Sequence, residues 1–244
     1  MRCFRAGPLT ALAYALISAC RPGPPEYKAR WSSGPPLPEP VQELHAAVLR
    51  GRIYVAGGIT PRDRGSIRVY RLDSAASGWE RVADLPAPRH HMPLAVANDT
   101  LYAIGGLGPG GFSPVATLWL YDERADGWHV RAPLPEPRGA SAAAVADGRI
   151  VVVGGFGAGM ELSDSTVIYD PGADRWSHPA GAPTPRDHLA AVRLGGEVFA
   201  VGGQPLPTPR HGVAAAVLAG RIYLIGGGPR AGGAQTAVVE VFTP

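Results

Sequence analysis

A short apolar stretch that ends in two glycines occurs five times in this chain and limits the folds available to it. The first glycines of the five pairs are Gly57, Gly105, Gly154, Gly202 and Gly226, so that successive copies lie 48, 49, 48 and 24 residues apart. A period of about 50 residues is typical of proteins built from repeated supersecondary units. The sequence therefore predicts a repeat architecture.

The third repeat shows most clearly what one unit contains. Residues 142–146 and 149–153 are apolar and are joined by Asp147 and Gly148, a pair favoured in tight hairpin turns. A third stretch at 166–169 is rich in β-branched residues, and a fourth begins at Arg175 after a cluster of turn-forming residues. Four short antiparallel strands in about 48 residues are the unit of a β-propeller blade.

Three further features recur at matched spacing around the glycine pairs. They are a tyrosine after the pair (Tyr70, Tyr121, Tyr169), a tryptophan after the tyrosine (Trp79, Trp128, Trp176) and a Pro-x-Pro-Arg segment that leads into the next repeat. Together with the glycine pairs, these features resemble the kelch repeat over residues 31–244. The resemblance implies an all-β, kelch-type β-propeller.

The two ends of the repeat region are complementary. Trp31 and the prolines after it resemble a fourth strand without the first three, whereas residues 238–242 resemble a third strand without a fourth. We therefore expect the N-terminal strand to pair with the C-terminal blade, which hides the edges of an open ring.

The fourth repeat is shorter than the others by about 24 residues, because Gly203 is followed almost at once by the next lead-in segment. The missing length corresponds to the third and fourth strands of a blade. The sequence thus predicts about five blade positions, four of them complete and one truncated to two strands. The truncated blade leaves an open edge at Val198–Val201, where a partner strand or a second copy of the chain has room to add.

The N-terminus has the pattern of a bacterial export signal. Residues 1–19 combine a short basic start with an apolar run of eleven residues, too short to span a bilayer and suited to a signal peptide. The run ends at Cys20 in a pattern that resembles a lipobox, so Cys20 is the expected lipidation site and residues 20–30 a lipid-anchored tether. The alternative is an ordinary signal peptide with a chance cysteine. Since residue 21 is arginine and not aspartate, we expect the outer membrane, periplasm or cell surface of a bacterium.

The charge balance argues against nucleic-acid binding. The formal net charge is +3, and removal of Arg2 and Arg5 with the leader leaves 21 basic and 20 acidic side chains. The sequence has no basic run interleaved with aromatic residues, which nucleic-acid-binding surfaces commonly show.

Candidate binding residues come from the lead-in segments. Four arginines, each 16 residues before the first glycine of its repeat, are Arg89, Arg138, Arg186 and Arg210. Four histidines stand beside them, His90, His91, His188 and His211, and the last three are the candidate binding residues. Guanidinium groups suit carboxylates and phosphates, and the resemblance to kelch repeats implies that an acidic peptide or glycan binds at this face. The alternative is that the arginines bond backbone carbonyls only.

We predict neither a metal site nor a cofactor from the sequence. The histidines come from separate blades, and their distances to the following glycine differ: 14 residues for His91 and His188, and 15 for His211. The sequence also lacks the motifs of a nucleophile elbow, a P-loop or a His-Glu-x-x-His zinc site.

Three functions remain open at this stage. The first is a non-enzymatic interaction module that is exported, lipid-anchored and binds an unidentified protein or acidic ligand on its loop face. The second, implied by resemblance to bacterial kelch epimerases that act on sialic acid, is an acidic-sugar epimerase or mutarotase. The third is a degenerate propeller that self-associates through the open edge at Val198–Val201.

Replacing Cys20 with alanine tests the lipoprotein prediction. In a bacterial host supplied with radiolabelled palmitate, the wild-type chain should acquire label and partition with membranes. Cys20→Ala should acquire none, because acyl transfer needs the thiol. Cys3→Ala is the matched control and should label like wild type, since Cys3 lies in the segment that is removed. Equal labelling of Cys20→Ala and wild type, or no label in either, would contradict the prediction.

Overall fold

The structure, a computed structural model, is all-β across the part of the chain that it describes. The described residues are 30–73, 77–109, 111–179, 185, 187–194, 197–201, 214–218, 221–226 and 236–243. The predicted signal peptide and Cys20 therefore lie outside the described residues, as does nearly all of the predicted tether. Within the described ranges, no helix has the length and hydrophobicity that crossing a bilayer requires.

Short strands of three to five residues make up the described fold. In chain order they are β1 (Arg30–Ser33), β2 (His45–Leu49), β3 (Arg52–Ala56), β4 (Val69–Asp73), β5 (Glu80–Val82), β6 (Leu94–Ala97), β7 (Thr100–Ile104), β8 (Leu118–Asp122), β9 (Gly127–Arg131), β10 (Ala142–Ala146), β11 (Arg149–Val153), β12 (Thr166–Asp170), β13 (Arg175–Ser177), β14 (Ala190–Leu194), β15 (Glu197–Val201), β16 (Ala214–Leu218), β17 (Arg221–Ile225) and β18 (Val239–Thr243). A single 3₁₀ turn, Ala158–Met160, lies between β11 and β12.

The strands form antiparallel sheets that are the blades of a propeller. The first blade is β2–β5, the second is β6–β9 and the third is β10–β13. The innermost strands follow one another around the axis: β16 contacts β2, β2 contacts β6, β6 contacts β10, and β10 contacts β14. The predicted all-β propeller with four-stranded antiparallel blades is confirmed.

The closing blade combines both ends of the described chain. Its strand order is β1-β18-β17-β16, with Trp31 opposite Phe242 in the register of β1 and β18. The predicted pairing of the N-terminal strand with the C-terminal blade is therefore present.

The fourth repeat contributes β14 and β15, which pair as a two-stranded sheet with Ala190 opposite Val201. Within the described ranges, β14 is the strand paired with β15. The segment that follows β15 in the sequence, residues 202–210, lies outside the described residues. Association through the edge at Val198–Val201 stays a prediction.

In the first three blades, the second strand is the most buried and the outermost strand is the most exposed. The inner strands are rich in alanine, as at Ala142–Ala146, because neighbouring blades are closest near the axis and leave little room for larger side chains. The second strands, such as β3 and β7, are buried along nearly their whole length. The outermost strand β13 has exposed residues at both ends.

The hydrophobic core lies between blades and not within them. Along β3, Ile53 and Val55 pack toward Ile225 and Val239 of the closing blade, whereas Tyr54 packs toward Leu101 and Trp119 of the second blade. Alternate residues of a strand point to opposite faces of its sheet, so each second strand serves two clusters. Each blade therefore depends on both neighbours to cover its apolar faces.

The recurring tryptophans and tyrosines also tie each blade to the preceding one. The indole Nε1 of Trp128 donates a hydrogen bond of 3.1 Å to the carbonyl of Ala83, at the end of the first blade. Tyr121 donates from its hydroxyl to Asp126 at 2.6 Å, and the same Asp126 oxygen accepts the backbone N–H of Ala83 at 2.8 Å. The third blade repeats this arrangement with Trp176, Tyr169 and Asp174.

The glycine pairs are where one blade meets the lead-in segment of the next. The N–H of Gly58 donates to the carbonyl of Arg89, and the N–H of Gly106 donates to the carbonyl of Arg138, each at 2.8 Å. Gly57 and Gly105 have positive φ angles of 68° and 56°. A Cβ at Gly105 would lie 2.6 Å from the Arg138 carbonyl oxygen, closer than a carbon and an oxygen can approach. Only glycine allows this contact.

Substitution of Gly105 by alanine tests whether this contact holds the blades together. We expect Gly105→Ala to lower the free energy of unfolding by about 2–4 kcal/mol, because the new methyl group meets backbone and the φ angle is left-handed. Urea denaturation followed by circular dichroism measures the change. Gly78→Ala is the control, since a Cβ there meets nothing within 4 Å. Equal stability of the two variants would show that the glycine pair does not set blade docking.

Candidate functional site

The inner strands begin around the axis, and a residue shortly before β2, β6, β10 and β14 has a left-handed backbone. These residues stand 14 positions before the first glycine of their repeats and have φ angles near +50°: Glu43, His91, Ala140 and His188. A left-handed conformation is uncommon for residues other than glycine. Because Ala140 shares it, the conformation belongs to the repeat and not to one side chain.

Backbone hydrogen bonds join these four positions from blade to blade. The N–H of His91 donates to the carbonyl of Glu43 at 2.9 Å, and the N–H of Ala140 donates to the carbonyl of His91 at 3.0 Å. The N–H of His188 in turn donates to the carbonyl of Ala140 at 3.0 Å. Each bond fixes one axial residue against the next, so their side chains converge at the same end of the propeller.

Three of the four side chains form a cluster, which we call the axial cluster: Glu43, His91 and His188. Glu43 Oε2 lies 3.1 Å from His91 Nε2 and 3.9 Å from His188 Nε2. The two imidazole rings meet nearly edge-on, with centroids 4.9 Å apart. Glu43 and His91 are 8% and 4% exposed, whereas His188 is exposed. Two members are thus fixed by packing and the third lies at the surface.

The other ring nitrogens of both histidines face partners outside the axial cluster. His188 Nδ1 lies 2.8 Å from Asp187 Oδ2, and His91 Nδ1 contacts His90 Nδ1. These contacts orient both rings with Nε2 toward Glu43. The donors of the axial cluster all lie within 4.8 Å of one another, a spacing compatible with a metal ion.

Two neighbouring histidines are held neutral by burial. Burial lowers the pKa of His90 to about 4, although backbone hydrogen bonds at Gly111 and Gly108 oppose the shift. Burial, and then the charge of His188, lower the pKa of His45 to about 4. The unfolded chain takes up these protons near pH 6.5, whereas the folded chain takes them up near pH 4. The free energy of unfolding therefore falls as the pH is lowered from about 6.5 to about 4.

The predicted arginines that fall within the described residues bond inside the blades. Arg138 is buried and donates from Nη1 to the carbonyls of Ser165 at 2.9 Å and Gly154 at 3.2 Å. Arg89 is also buried, with its guanidinium 4.7 Å from the centroid of the Trp119 ring and bonded to the carbonyl of Pro88. Burial lowers the pKa of both side chains from the ordinary arginine value.

The remaining predicted residues divide between the axial cluster and the part of the chain that is not described. His91 and His188 lie together, whereas Arg186, Arg210 and His211 lie outside the described residues. Sequence reasoning missed Glu43. The signal was present, because Glu43 stands at the same distance from Gly57 as His91 from Gly105.

Exposed apolar side chains lie on the loops that follow the glycine pairs, beside the axial cluster. We call Phe112, Met160 and Leu162 the apolar rim; all three are more than half exposed. The Phe112 ring lies 6.4 Å from the rings of both His91 and Phe156. Phe156 forms a β-bridge to Leu162 within the loop of the third blade, so the contact between Phe112 and Phe156 is what joins the loops of the second and third blades.

Comparison with known proteins identifies relatives of the repeat region. A family model described as the KLHDC2/KLHL20/DRC7 Kelch-repeats domain matches residues 28–203. Beta-scruin of Limulus polyphemus is 39% identical over 92 residues, which are 34% of this chain and 10% of that protein. Kelch-like protein 36 of Bos taurus is 34% identical over 103 residues, 38% of this chain and 17% of that protein. The chain thus matches only a small part of these relatives.

A solved structure shares the fold. The structure of YjhT matches with a TM-score of 0.73 over 87% of this chain and 97% of that chain. The sequences are 14% identical. At this identity, the similarity extends to the fold alone.

The position of Arg138 predicts a structural role for its guanidinium. Arg138→Met keeps most of the side-chain volume but removes the donors to Ser165 and Gly154, so we expect the free energy of unfolding to fall by about 2–4 kcal/mol. Thermal unfolding should show a melting temperature lower by roughly 5–15 °C. Arg175→Met, at an exposed position of β13, is the control and should change little. Equal melting temperatures would favour ligand contact instead.

Proposed function

Because this chain belongs to the kelch-repeat family, we propose that it is a non-enzymatic interaction module that binds a protein ligand on the face formed by the loops after the glycine pairs. Kelch repeats build the same blades in proteins of very different length, so the loops and not the strands distinguish one member from another. The proposal therefore rests on what these loops expose in this chain.

The observation that carries the proposal is the apolar rim. Phe112 is 57% exposed although it lies among buried aromatic and imidazole rings, and Met160 and Leu162 extend the surface on the next blade. Large apolar side chains grouped at a loop surface are typical of protein-binding sites, where aromatic residues supply much of the affinity. A glycan, which offers mainly hydroxyl groups, makes less use of such a surface.

Charge at the same face favours a ligand segment that also carries acidic residues. Arg62 and Arg64 are exposed on the loop after Gly58. The backbone at Gly65, next to Arg64, approaches Pro88 and Pro109 of the neighbouring repeat, which places this loop beside the loop that carries Phe112. Exposed guanidinium groups bind carboxylates in a bidentate manner.

The mutarotase alternative drew its support from a mouth lined with arginines and histidines. Arg89 and Arg138 donate to backbone carbonyls within the described blades, so these two arginines do not favour an acidic sugar as a substrate, whereas Arg186 and Arg210 lie outside the described residues.

We also propose that the chain is exported and anchored to a membrane through Cys20. The support is the sequence alone: a basic start, an apolar run of eleven residues and a cysteine in a lipobox-like pattern. The tether would then enter the propeller directly at β1, which begins at Arg30.

A displayed peptide library tests the interaction proposal. Random peptides on phage are panned against the full chain, and synthetic copies of the enriched peptides are titrated by fluorescence anisotropy. We expect enriched sequences to combine apolar and acidic residues, and Phe112→Ser with Leu162→Ser to weaken their binding by about 10- to 100-fold.

Val130→Ser is the matched control, because Val130 is 76% exposed but lies on the outer strand β9, away from the apolar rim. Its affinity should equal that of wild type. The proposal is wrong if no peptide is enriched, or if the rim variant and the Val130→Ser variant bind the peptides equally well.

A further inference from the structure

We propose that the axial cluster of Glu43, His91 and His188 is a binding site for one divalent transition-metal ion of the zinc type. This site goes beyond the proposed function, since protein binding by the apolar rim does not require an ion. The inference rests on the geometry of the three side chains, the identity of their donor atoms and the contacts that orient them.

The first argument is distance. Zinc bonds of about 2.0–2.1 Å place the donors of a tetrahedral ion about 3.3 Å apart. Glu43 Oε2 and His91 Nε2 already lie 3.1 Å apart, so this pair needs almost no adjustment. His188 Nε2 is 3.9 Å from the same oxygen and must come roughly 0.6 Å closer to it to meet the tetrahedral spacing, and all three donors lie within 4.8 Å of one another. The exposed side chain of His188 can make this movement, whereas the buried pair Glu43 and His91 already has nearly the required spacing.

The second argument is donor chemistry. Two imidazole nitrogens and one carboxylate oxygen form a set that suits zinc, iron, nickel or copper, whereas magnesium and calcium prefer sites made of oxygen alone. Three protein donors leave one coordination position open at a tetrahedral ion. Here the exposed side of the cluster is the side of His188, with the Phe112 ring close to His91.

The third argument is the orientation of the rings. Histidines that bind metals nearly always donate their other ring nitrogen to a carboxylate or another acceptor, which fixes the tautomer and the direction of the lone pair. His188 Nδ1 lies 2.8 Å from Asp187 Oδ2, and this contact directs Nε2 toward Glu43. Asp187 is adjacent to His188 in the chain but does not belong to the three donors. Asp187 is therefore a positioning residue, because it orients His188 toward the place that an ion would occupy. An ion pair between Glu43 and His91 alone would not involve Asp187.

The fourth argument is that the two lead-in arginines within the described residues are bonded elsewhere. Arg89 and Arg138 precede His91 and Ala140 by two residues, yet their guanidinium groups lie against Trp119 and on the carbonyls of Gly154 and Ser165. At Ala140, the axial position of the third blade, a methyl group replaces a longer side chain. The ring centroids of His91 and His188 therefore lie 4.9 Å apart, although the third blade stands between their two blades.

Direct zinc titration tests the proposal. The full chain with Cys3→Ser and Cys20→Ser, which removes thiolates that bind zinc, is stripped with a chelator and titrated with Zn²⁺ by isothermal calorimetry. We expect one ion per chain. Co²⁺ in place of Zn²⁺ should give the intense visible absorption of a tetrahedral site.

Variants at the donors separate a built site from adventitious binding. Glu43→Gln keeps the shape of the side chain, and His188→Asn suits a left-handed backbone; each should weaken zinc binding by at least 100-fold. Asp187→Asn should weaken it by about 10- to 100-fold, the range for residues that orient a ligand. His178→Asn, at an exposed histidine outside the cluster, is the control and should bind like wild type.

The proposal is overturned if the chain binds no zinc in a one-to-one ratio, or if His188→Asn and Asp187→Asn bind as wild type does. Because Glu43 is buried, Glu43→Gln is also checked by circular dichroism; if it does not fold, the two variants at the surface decide the question. If the donor variants lose zinc binding but keep the peptide affinity of wild type, the metal site functions independently of the interaction face.

Discussion

The propeller depends on one close approach that is repeated around the axis. At the pairs Gly57–Gly58 and Gly105–Gly106, the carbonyl of the following lead-in segment lies where a side chain would otherwise stand, and the N–H of Gly58 or Gly106 bonds to it. The same contact occurs where the ring closes, since a Cβ at Gly226 would lie 2.7 Å from the Val41 carbonyl oxygen. Blade docking is thus a backbone interaction, and the surrounding side chains vary around it.

The lead-in segment that supplies this carbonyl also builds the site. In the second and third blades its arginine turns into the protein and bonds there, while the residue two positions later takes a left-handed backbone and faces the axis. The repeat can therefore place a different side chain at this axial position in each blade without changing the backbone contact between blades. In this chain the side chains at this position include Glu43, His91 and His188, and their convergence follows from the fold rather than from any local motif.

Much of the fold could be predicted because its signals are local or periodic. The turn at Asp147 and Gly148 predicted a hairpin of the blade. The strand at Trp31, which has no partner nearby in the sequence, predicted closure of the ring with the C-terminal blade. The direction of the arginine side chains could not be predicted, since it depends on which carbonyls the assembled sheets leave available. The sequence did not single out Glu43, because the first lead-in segment has Val41 where the others have the arginine that marked the candidate histidines. Counted from the glycines, Glu43 and both histidines occupy one position.

Closure by β1 also has a consequence for the timing of synthesis. Arg30 pairs with Thr243, so more than 200 residues are made after β1 before its partner strand exists. At roughly 5–20 residues per second, this interval lasts about 10–40 seconds. By then all strands of the first three blades have been made, whereas β1 still lacks the strand with which it pairs. Closure of the ring therefore depends on β18, which follows the other described strands in the chain.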